Sequence, residues 1–161
     1  MTIKVGDKLP NVTLRQVTSQ GPKEISTDEF FRGRKIVLFA VPGAFTPACS
    51  QRHLPGFVDK TADIKAKGID EIACVAVNDP AVMGAWGKDQ KTEGEVTMLA
   101  DGSGDLARAL GLELDLTRGG LGVRSQRYSM LVDNGVVKTL NVEAQPGQVD
   151  ASGAEAMLKA L

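Results

Sequence analysis

Residues 35–41 read Lys-Ile-Val-Leu-Phe-Ala-Val, an unbroken apolar run of strand length with β-branched members. A strand with one wet face alternates apolar and polar side chains. A run without alternation is buried on both faces, which a strand achieves in the middle of a sheet with parallel neighbours and layers above and below it. This one run therefore restricts the chain to an α/β architecture. Ile72-Ala-Cys-Val-Ala-Val77 is a second such run, and Val96-Thr-Met-Leu99 is a weaker third.

The intervening segments carry helical patterns. From about Pro47 to Lys67, Leu54, Phe57, Val58 and Ile64 recur near helical spacing, with Pro55 predicted to kink the helix by removing an i−4 hydrogen bond. Asp79-Pro80 is a cap followed by a first-turn proline, and the helix it opens runs through Val82, Met83 and Trp86, the last two read as core. A further helix covers Gly104 to Leu110 and stops at Gly111. The period then changes: Ser129 to Asp133 and Val136 to Leu140 flank Asn134-Gly135, a strong hairpin signal. Ser26 with Glu29 forms a capping box for a short helix ending near Gly33, and Ser152 with Glu155 forms one for a closing helix to Leu161. The order is β-α-β-α-β-α, then a hairpin and a last helix. It predicts a mixed central sheet flanked by helices on both faces, of which the thioredoxin-like architecture is the simplest version.

At 161 residues, with no internal repeat or long linker, residues 1–161 read as a single domain. The formal net charge of −1 supplies no attraction to nucleic acid or to an anionic membrane surface. No segment approaches the roughly 20 apolar residues of a membrane span. Lys4, Asp7 and Lys8 interrupt any signal-like apolar core, and Lys159-Ala-Leu161 is not the Ser-Lys-Leu peroxisomal address, so a cytoplasmic location is expected. Two cysteines and one histidine are too few for a disulfide scaffold or a zinc site. With no G-x-G-x-x-G fingerprint either, no metal, haem, flavin or nicotinamide cofactor is expected.

The chemistry concentrates in Val41-Pro-Gly-Ala-Phe-Thr-Pro-Ala-Cys49-Ser50, which follows the most buried strand and so lies at its carboxyl end, where open α/β sheets place their ligands. Thr46-Pro47 is a helix start, a hydroxyl cap and then proline at the first position. Cys49 falls at the third helical position, among unpaired backbone N–H groups and the positive end of the macrodipole, a setting that favours an anion such as a thiolate. Ionisation alone makes a modest catalyst. A free thiol is already a few per cent ionised at neutral pH, so complete ionisation gains only about ten- to thirty-fold. Most of the acceleration has to come from groups that position an O–O bond and stabilise the departing oxygen. Thr46 supplies a hydroxyl. Only Arg52 and His53 stand near Cys49 in sequence, and His53 shares its helical face but reads as a packing or hydrogen-bonding residue rather than a base. Cys74, inside an apolar strand, reads as packing.

Pro42-Gly-Ala-Phe-Thr46-Pro-Ala-Cys49 strongly resembles the P-x-x-x-T-x-x-C signature of the peroxiredoxins, in the form of their type II (atypical, peroxiredoxin-five) branch of bacteria and plants. The resemblance spans nearly the whole chain, through Val5 to Pro10, His53 to Phe57, Val77 to Pro80, Ala85-Trp86, Leu99 to Gly102, Leu110 to Leu112, and Gly120 to Met130. It implies a thiol peroxidase acting on hydrogen peroxide and small organic hydroperoxides through a sulfenic acid. In it Cys49 is the nucleophile, Thr46 a hydrogen-bond partner of the peroxide, Pro42 a shield of the thiolate, and Arg127 the missing cation. Arg118 and Arg124 are read as surface arginines. Some members of the branch carry a second cysteine before the last helix, but Gly147 to Ser152 holds none here. The resemblance therefore implies an external reductant (glutathione, glutaredoxin or thioredoxin) and a homodimer. The competing reading is a thioredoxin-fold redox sensor or chaperone module whose cysteine oxidises once without turnover. A thiol-disulfide exchanger fits less well, because exchangers carry Cys-x-x-Cys and residue 46 is threonine.

Overall fold

The computed structural model describes residues 2–161. The apolar run at residues 35–41 forms β3 (Lys35–Val41), with all but its first residue buried. It pairs in parallel with β4 (Glu71–Ala76), which pairs in parallel with β5 (Thr97–Ala100). On its other side β3 meets β8 (Tyr128–Asp133), antiparallel, and β8 turns through Asn134-Gly135 into β9 (Val136–Val142). Asn134 at φ 49° and Gly135 at φ 82° supply the two left-handed residues that a tight hairpin of this hand demands.

Two ribbons lie outside the expected order. A hairpin of β1 (Thr13–Thr18) and β2 (Gly21–Ser26) adds to the edge of β5, giving the sheet order β2-β1-β5-β4-β3-β8-β9. A separate pair, β6 (Glu113–Leu116) with β7 (Gly122–Ser125), stands apart from the main sheet. Both are largely exposed. In β1 only Leu14 is fully buried and in β2 no residue is, so neither shows the apolar alternation that marks a strand in sequence.

Because side chains alternate across a sheet, β3 feeds two cores. Ile36, Leu38 and Ala40 pack on one face with Phe30 and Phe31 of α1 (Thr27–Phe31) and with Leu106 and Leu110 of α5 (Asp105–Leu110). Val37, Phe39 and Val41 pack on the other with Leu54, Phe57 and Ile64, with Met83 and Trp86 of α4 (Pro80–Asp89), and with Met157 of α6 (Ala154–Ala160). Each of the Val, Leu, Ile, Phe and Met side chains among them, fully buried, contributes roughly 1.5–3 kcal/mol. The result is the expected mixed sheet flanked by helices on both faces. Among the described residues no helix is long and apolar enough to cross a membrane.

The segment expected as one kinked helix from Pro47 to Lys67 is divided. Residues Cys49–His53 form a wide turn in which the Leu54 N–H reaches back five residues to the Cys49 carbonyl. Then come α2 (Leu54–Asp59), a break at Lys60, and α3 (Thr61–Lys65). A proline ring crowds the carbonyl four residues before it, and the wider turn ahead of Pro55 relieves that crowding. Proline here widens the helix at the cysteine instead of merely bending it. The expected caps hold at Ser26, which accepts from the Glu29 N–H, and at Asp79, which accepts from the Val82 N–H. Ser152 is different: Gly153 caps α6 without a side-chain hydrogen bond, and the Ser152 hydroxyl is used elsewhere.

Candidate active site

Between β3 and the cysteine the chain makes a tight loop held from three sides. The Ala44 N–H donates to Asn78 Oδ1 at 2.9 Å, and Arg124 Nη1 donates to the Pro42 carbonyl at 3.2 Å. Thr46 Oγ1 donates to the Gly43 carbonyl at 2.7 Å. Phe45 adopts φ 64°, a left-handed conformation that a bulky residue takes only when its surroundings force it, and its ring stays 52% exposed. The expected role of Thr46 as a side-chain cap of its own helix is not what is found. Its hydrogen goes to Gly43, which leaves the oxygen lone pairs available to a ligand. The helix does begin at Pro47, so Cys49 sits in its first turn.

Arg127, immediately before β8, extends to this helix. Its Nη2 donates to Cys49 Sγ at 3.0 Å, its Nη1 donates to His53 Nδ1 at 2.9 Å, and its Nε donates to the Pro146 carbonyl at 3.0 Å. A guanidinium has five N–H groups, so two remain to point at an incoming ligand. Arg127 is only 2% exposed, and a buried cation in such a place needs every one of these acceptors.

His53 Nε2 donates to the Ser152 carbonyl at 3.0 Å, and its Nδ1 accepts from Arg127. The imidazole is therefore neutral with its proton on Nε2. Burial, reinforced by the Arg127 charge, pushes its pKa down to about 3. Phe39 and Phe57 enclose it, with ring centroids 4.9 and 5.6 Å away. A ring whose one free lone pair is occupied by a guanidinium is no proton acceptor. The helical spacing of His53 from Cys49 thus reflects a shared arginine rather than a Cys–His dyad.

Ser152, whose carbonyl accepts from His53 Nε2, is held in turn by Glu143 through its N–H and hydroxyl. Glu143 Oε2 accepts from the Ser152 N–H at 2.6 Å, the Ser152 hydroxyl at 2.6 Å and the Asp150 N–H at 2.8 Å. Burial acts to raise the Glu143 pKa, but the hydrogen bonds from Ser152 and Asp150 outweigh it, and the carboxyl titrates below the ordinary glutamate range.

The structure thus joins Cys49, His53 and Arg127 by hydrogen bonds and places Pro42 and Thr46 on the loop leading into the same helix. Sequence reading missed three residues. Arg124, a surface arginine by its sequence setting, is instead half-buried and grips the Pro42 carbonyl, and a Cβ on Gly43 would stand 2.8 Å from its Nη1. Glu143 gave no signal and Ser152 reads in sequence only as a helix cap, because both reach the site through the Ser152 and Arg127 backbone carbonyls. Arg118 is exposed, as read. Cys74 faces the same core as Cys49 and is fully buried; burial, with Cys49 nearby, pushes its thiol well up. Both cysteines are free. The Cys49 sulfur has no solvent exposure, a stronger enclosure than a helix mouth by itself suggests. Among the described residues no group of three or more His, Cys, Asp and Glu side chains is gathered as metal ligands would be.

A cysteine in the first turn of a helix, touched by a guanidinium and set at the carboxyl end of a central strand in a mixed sheet, defines a thioredoxin-fold protein that works through thiol chemistry. The Redoxin family model matches residues 4–158. Peroxiredoxin-2E-2, chloroplastic, from Oryza sativa subsp. japonica is 54% identical, over 99% of this chain and 73% of its own length. Peroxiredoxin-2C of the same organism is 48% identical, over 99% and 98%. The crystal structure of reduced Prx3 in complex with hydrogen peroxide from Vibrio vulnificus superposes with a TM-score of 0.94 at 53% identity, covering 99% of each chain. Peroxiredoxin 5 from Alvinella pompejana gives 0.86 at 39%, covering 98% of this chain and 97% of its own. The chain belongs to the Redoxin family and, within it, to the peroxiredoxins. It is an enzyme, a thiol-dependent peroxidase.

Proposed function

We propose that Cys49 is the residue that attacks the peroxide, with Arg127, Thr46 and Pro42 completing the site. The observation behind this reading is the 3.0 Å contact from Arg127 Nη2 to Cys49 Sγ. The thiolate electron pair forms the S–O bond to the terminal peroxide oxygen. The O–O pair leaves with the other oxygen, which takes a proton to become water or an alcohol, and Cys49 becomes a sulfenic acid. The two unused N–H groups of Arg127 stabilise charge on both peroxide oxygens, and Thr46 Oγ1, its hydrogen bound to Gly43, accepts from the peroxide hydroxyl. Pro42, buried on the loop, keeps water from the sulfur. Hydrogen peroxide and small organic hydroperoxides are the substrates this enclosed site fits.

The reductant in this reading is an external thiol, glutathione or glutaredoxin ahead of thioredoxin, and no bound cofactor takes part. Neither Cys74, locked in a strand, nor the loop from Gly147 to Ser152 offers a second thiol to the sulfenic acid. Because the sulfur is buried, the first helical turn has to open before a thiol of any size reaches it. A homodimer is part of the same reading: Phe45 on the site loop and Val123 on β7, each about half exposed, are apolar surfaces for a second copy to cover. The setting is a reducing one, taken as cytoplasmic, and cell fractionation placing the chain in an organelle would correct it.

The test is a steady-state peroxide assay across the three reductants, with Cys49→Ser and Cys74→Ser beside the parent. Only Cys49→Ser should be inactive. Equal loss in Cys74→Ser would remove the one-cysteine assignment, and a single stoichiometric oxidation without turnover would favour the sensor reading. Sedimentation of the reduced protein checks the dimer.

A further inference from the structure

Arg127 is held on two sides by the same loop. The Pro146 carbonyl accepts from Nε directly, and the Ser152 carbonyl acts through His53 on Nη1. A loop that spans Glu143 to Gly153 has many conformations to lose, and short irregular segments hold one geometry only where something pins them. The pin is one atom. Glu143 Oε2 gathers the Asp150 N–H, the Ser152 N–H and the Ser152 hydroxyl, all within 2.8 Å. Glu143 is itself anchored at the active-site end, since its N–H donates to the Arg127 carbonyl at 2.9 Å.

We propose that Glu143 is a positioning residue for peroxide reduction: by fixing the Ser152 carbonyl it selects the Nε2–H tautomer of His53, which presents Nδ1 as the acceptor that aims Arg127 at Cys49. This rests on the site reading above and extends it to a carboxylate that touches no reacting atom. The tautomer is the hinge of the effect. If the Ser152 carbonyl drifts, Nε2–H loses its acceptor, and only the Arg127 N–H on Nδ1 still favours that tautomer. With the proton on Nδ1 the ring would present an N–H to the guanidinium instead of a lone pair, and Arg127 would lose one of the three acceptors that define its orientation. A guanidinium displaced by a fraction of an ångström no longer matches the attacked oxygen, and misplacement on the scale of 1 Å costs up to about a hundred-fold in rate.

His53 is the single histidine of the chain, so its imidazole ¹⁵N resonances need no assignment. The experiment measures those resonances and the second-order rate of hydrogen peroxide reduction in the full chain and in Glu143→Ala, Glu143→Gln and Ser152→Ala. The parent should show protonated Nε2 and unprotonated Nδ1. Glu143→Ala should bring in the Nδ1–H form and lower the rate roughly ten- to a hundred-fold. Glu143→Gln, which keeps a carbonyl oxygen in place, should restore most of both. Ser152→Ala, which removes one donor and keeps the backbone, should shift both in the same direction by less, and it serves as the test if Glu143→Ala does not fold. A merely structural role would lower stability and leave the tautomer as in the parent. An unchanged tautomer in Glu143→Ala, whatever its rate, or in Ser152→Ala where that stands in for it, overturns the proposal. Cys49→Ser, run alongside, separates the two levels: if it stays active the site reading fails, and if it is dead while the Glu143 and Ser152 variants behave as the parent, only the role of Glu143 fails.

Discussion

Arg127 and Cys49 are 78 positions apart in sequence, yet Nη2 stands 3.0 Å from Sγ. The contact exists because β8 runs antiparallel beside β3, so the residue just before β8 lies near the end of β3 from which the cysteine loop departs. Sheet pairing, not local sequence, brings the cation to the sulfur.

Arg127→Ala should lower the rate of peroxide reduction by about a hundred- to a thousand-fold, the usual cost of removing a donor aimed at developing charge. Arg127→Lys keeps the charge but cannot span a sulfur, an imidazole and a carbonyl with one planar group, so it should recover only a small part. Stopped-flow oxidation of the reduced protein measures both, and parent-like rates would take Arg127 out of the site.

His53 makes a stability prediction with a definite sign. The unfolded chain takes up the imidazole proton near pH 6.5, whereas the folded chain resists it down to about 3. Between those values the unfolded state binds more protons, so stability falls as pH drops, by at most about 1.4 kcal/mol per pH unit from this residue. Above pH 6.5 this residue contributes no slope. Urea titrations should show a shallower acid decline in His53→Gln than in the parent, and identical slopes would mean that the ring is accessible to protons in the fold.

Gly43→Ala tests the loop grip. Its Cβ would meet Arg124 Nη1 at 2.8 Å and Thr46 Cγ2 at 3.2 Å. The arginine end moves easily, so stability should change by less than about 1 kcal/mol. The displaced guanidinium releases the Pro42 carbonyl, however, and peroxide reduction should slow several-fold. Arg124→Ala should reproduce that slowing, and full activity in both variants would make the Arg124 contact incidental.

Cys74→Ser places a hydroxyl in a fully buried strand position facing apolar neighbours. The unsatisfied group should cost about 1–3 kcal/mol, read as a lower thermal midpoint, while turnover per folded molecule stays that of the parent.

The apolar run from Ile36 to Val41 was legible because its period and length leave one environment open to it, and so were the caps at Ser26 and Asp79 and the Asn134-Gly135 turn, where chemistry and conformation are tied within four residues. The ribbons β1–β2 and β6–β7 were not, since strands that bury few side chains leave no pattern. Cys49 stood out by its position after Thr46-Pro47. Arg127 is marked only by the resemblance and Arg124 not at all, because an arginine in sequence does not disclose which loop will come to rest against it. Ser152 has the spacing of a helix cap because Glu155 follows three residues later, yet the helix is capped one residue on, at Gly153, and the Ser152 hydroxyl donates to the Glu143 carboxylate across the loop.

The sequence by itself determined the central strand, the helix that opens at Pro47 and the place of the sulfur within it, for these depend on side-chain period and on residues a few positions apart. Only the tertiary structure decided what surrounds that sulfur: the arginine touching it, the proton position on His53 and the carboxylate behind both. Those contacts are set by strand pairing and loop closure over tens of residues, and there the acceptor that wins is the one the fold brings within about 3 Å.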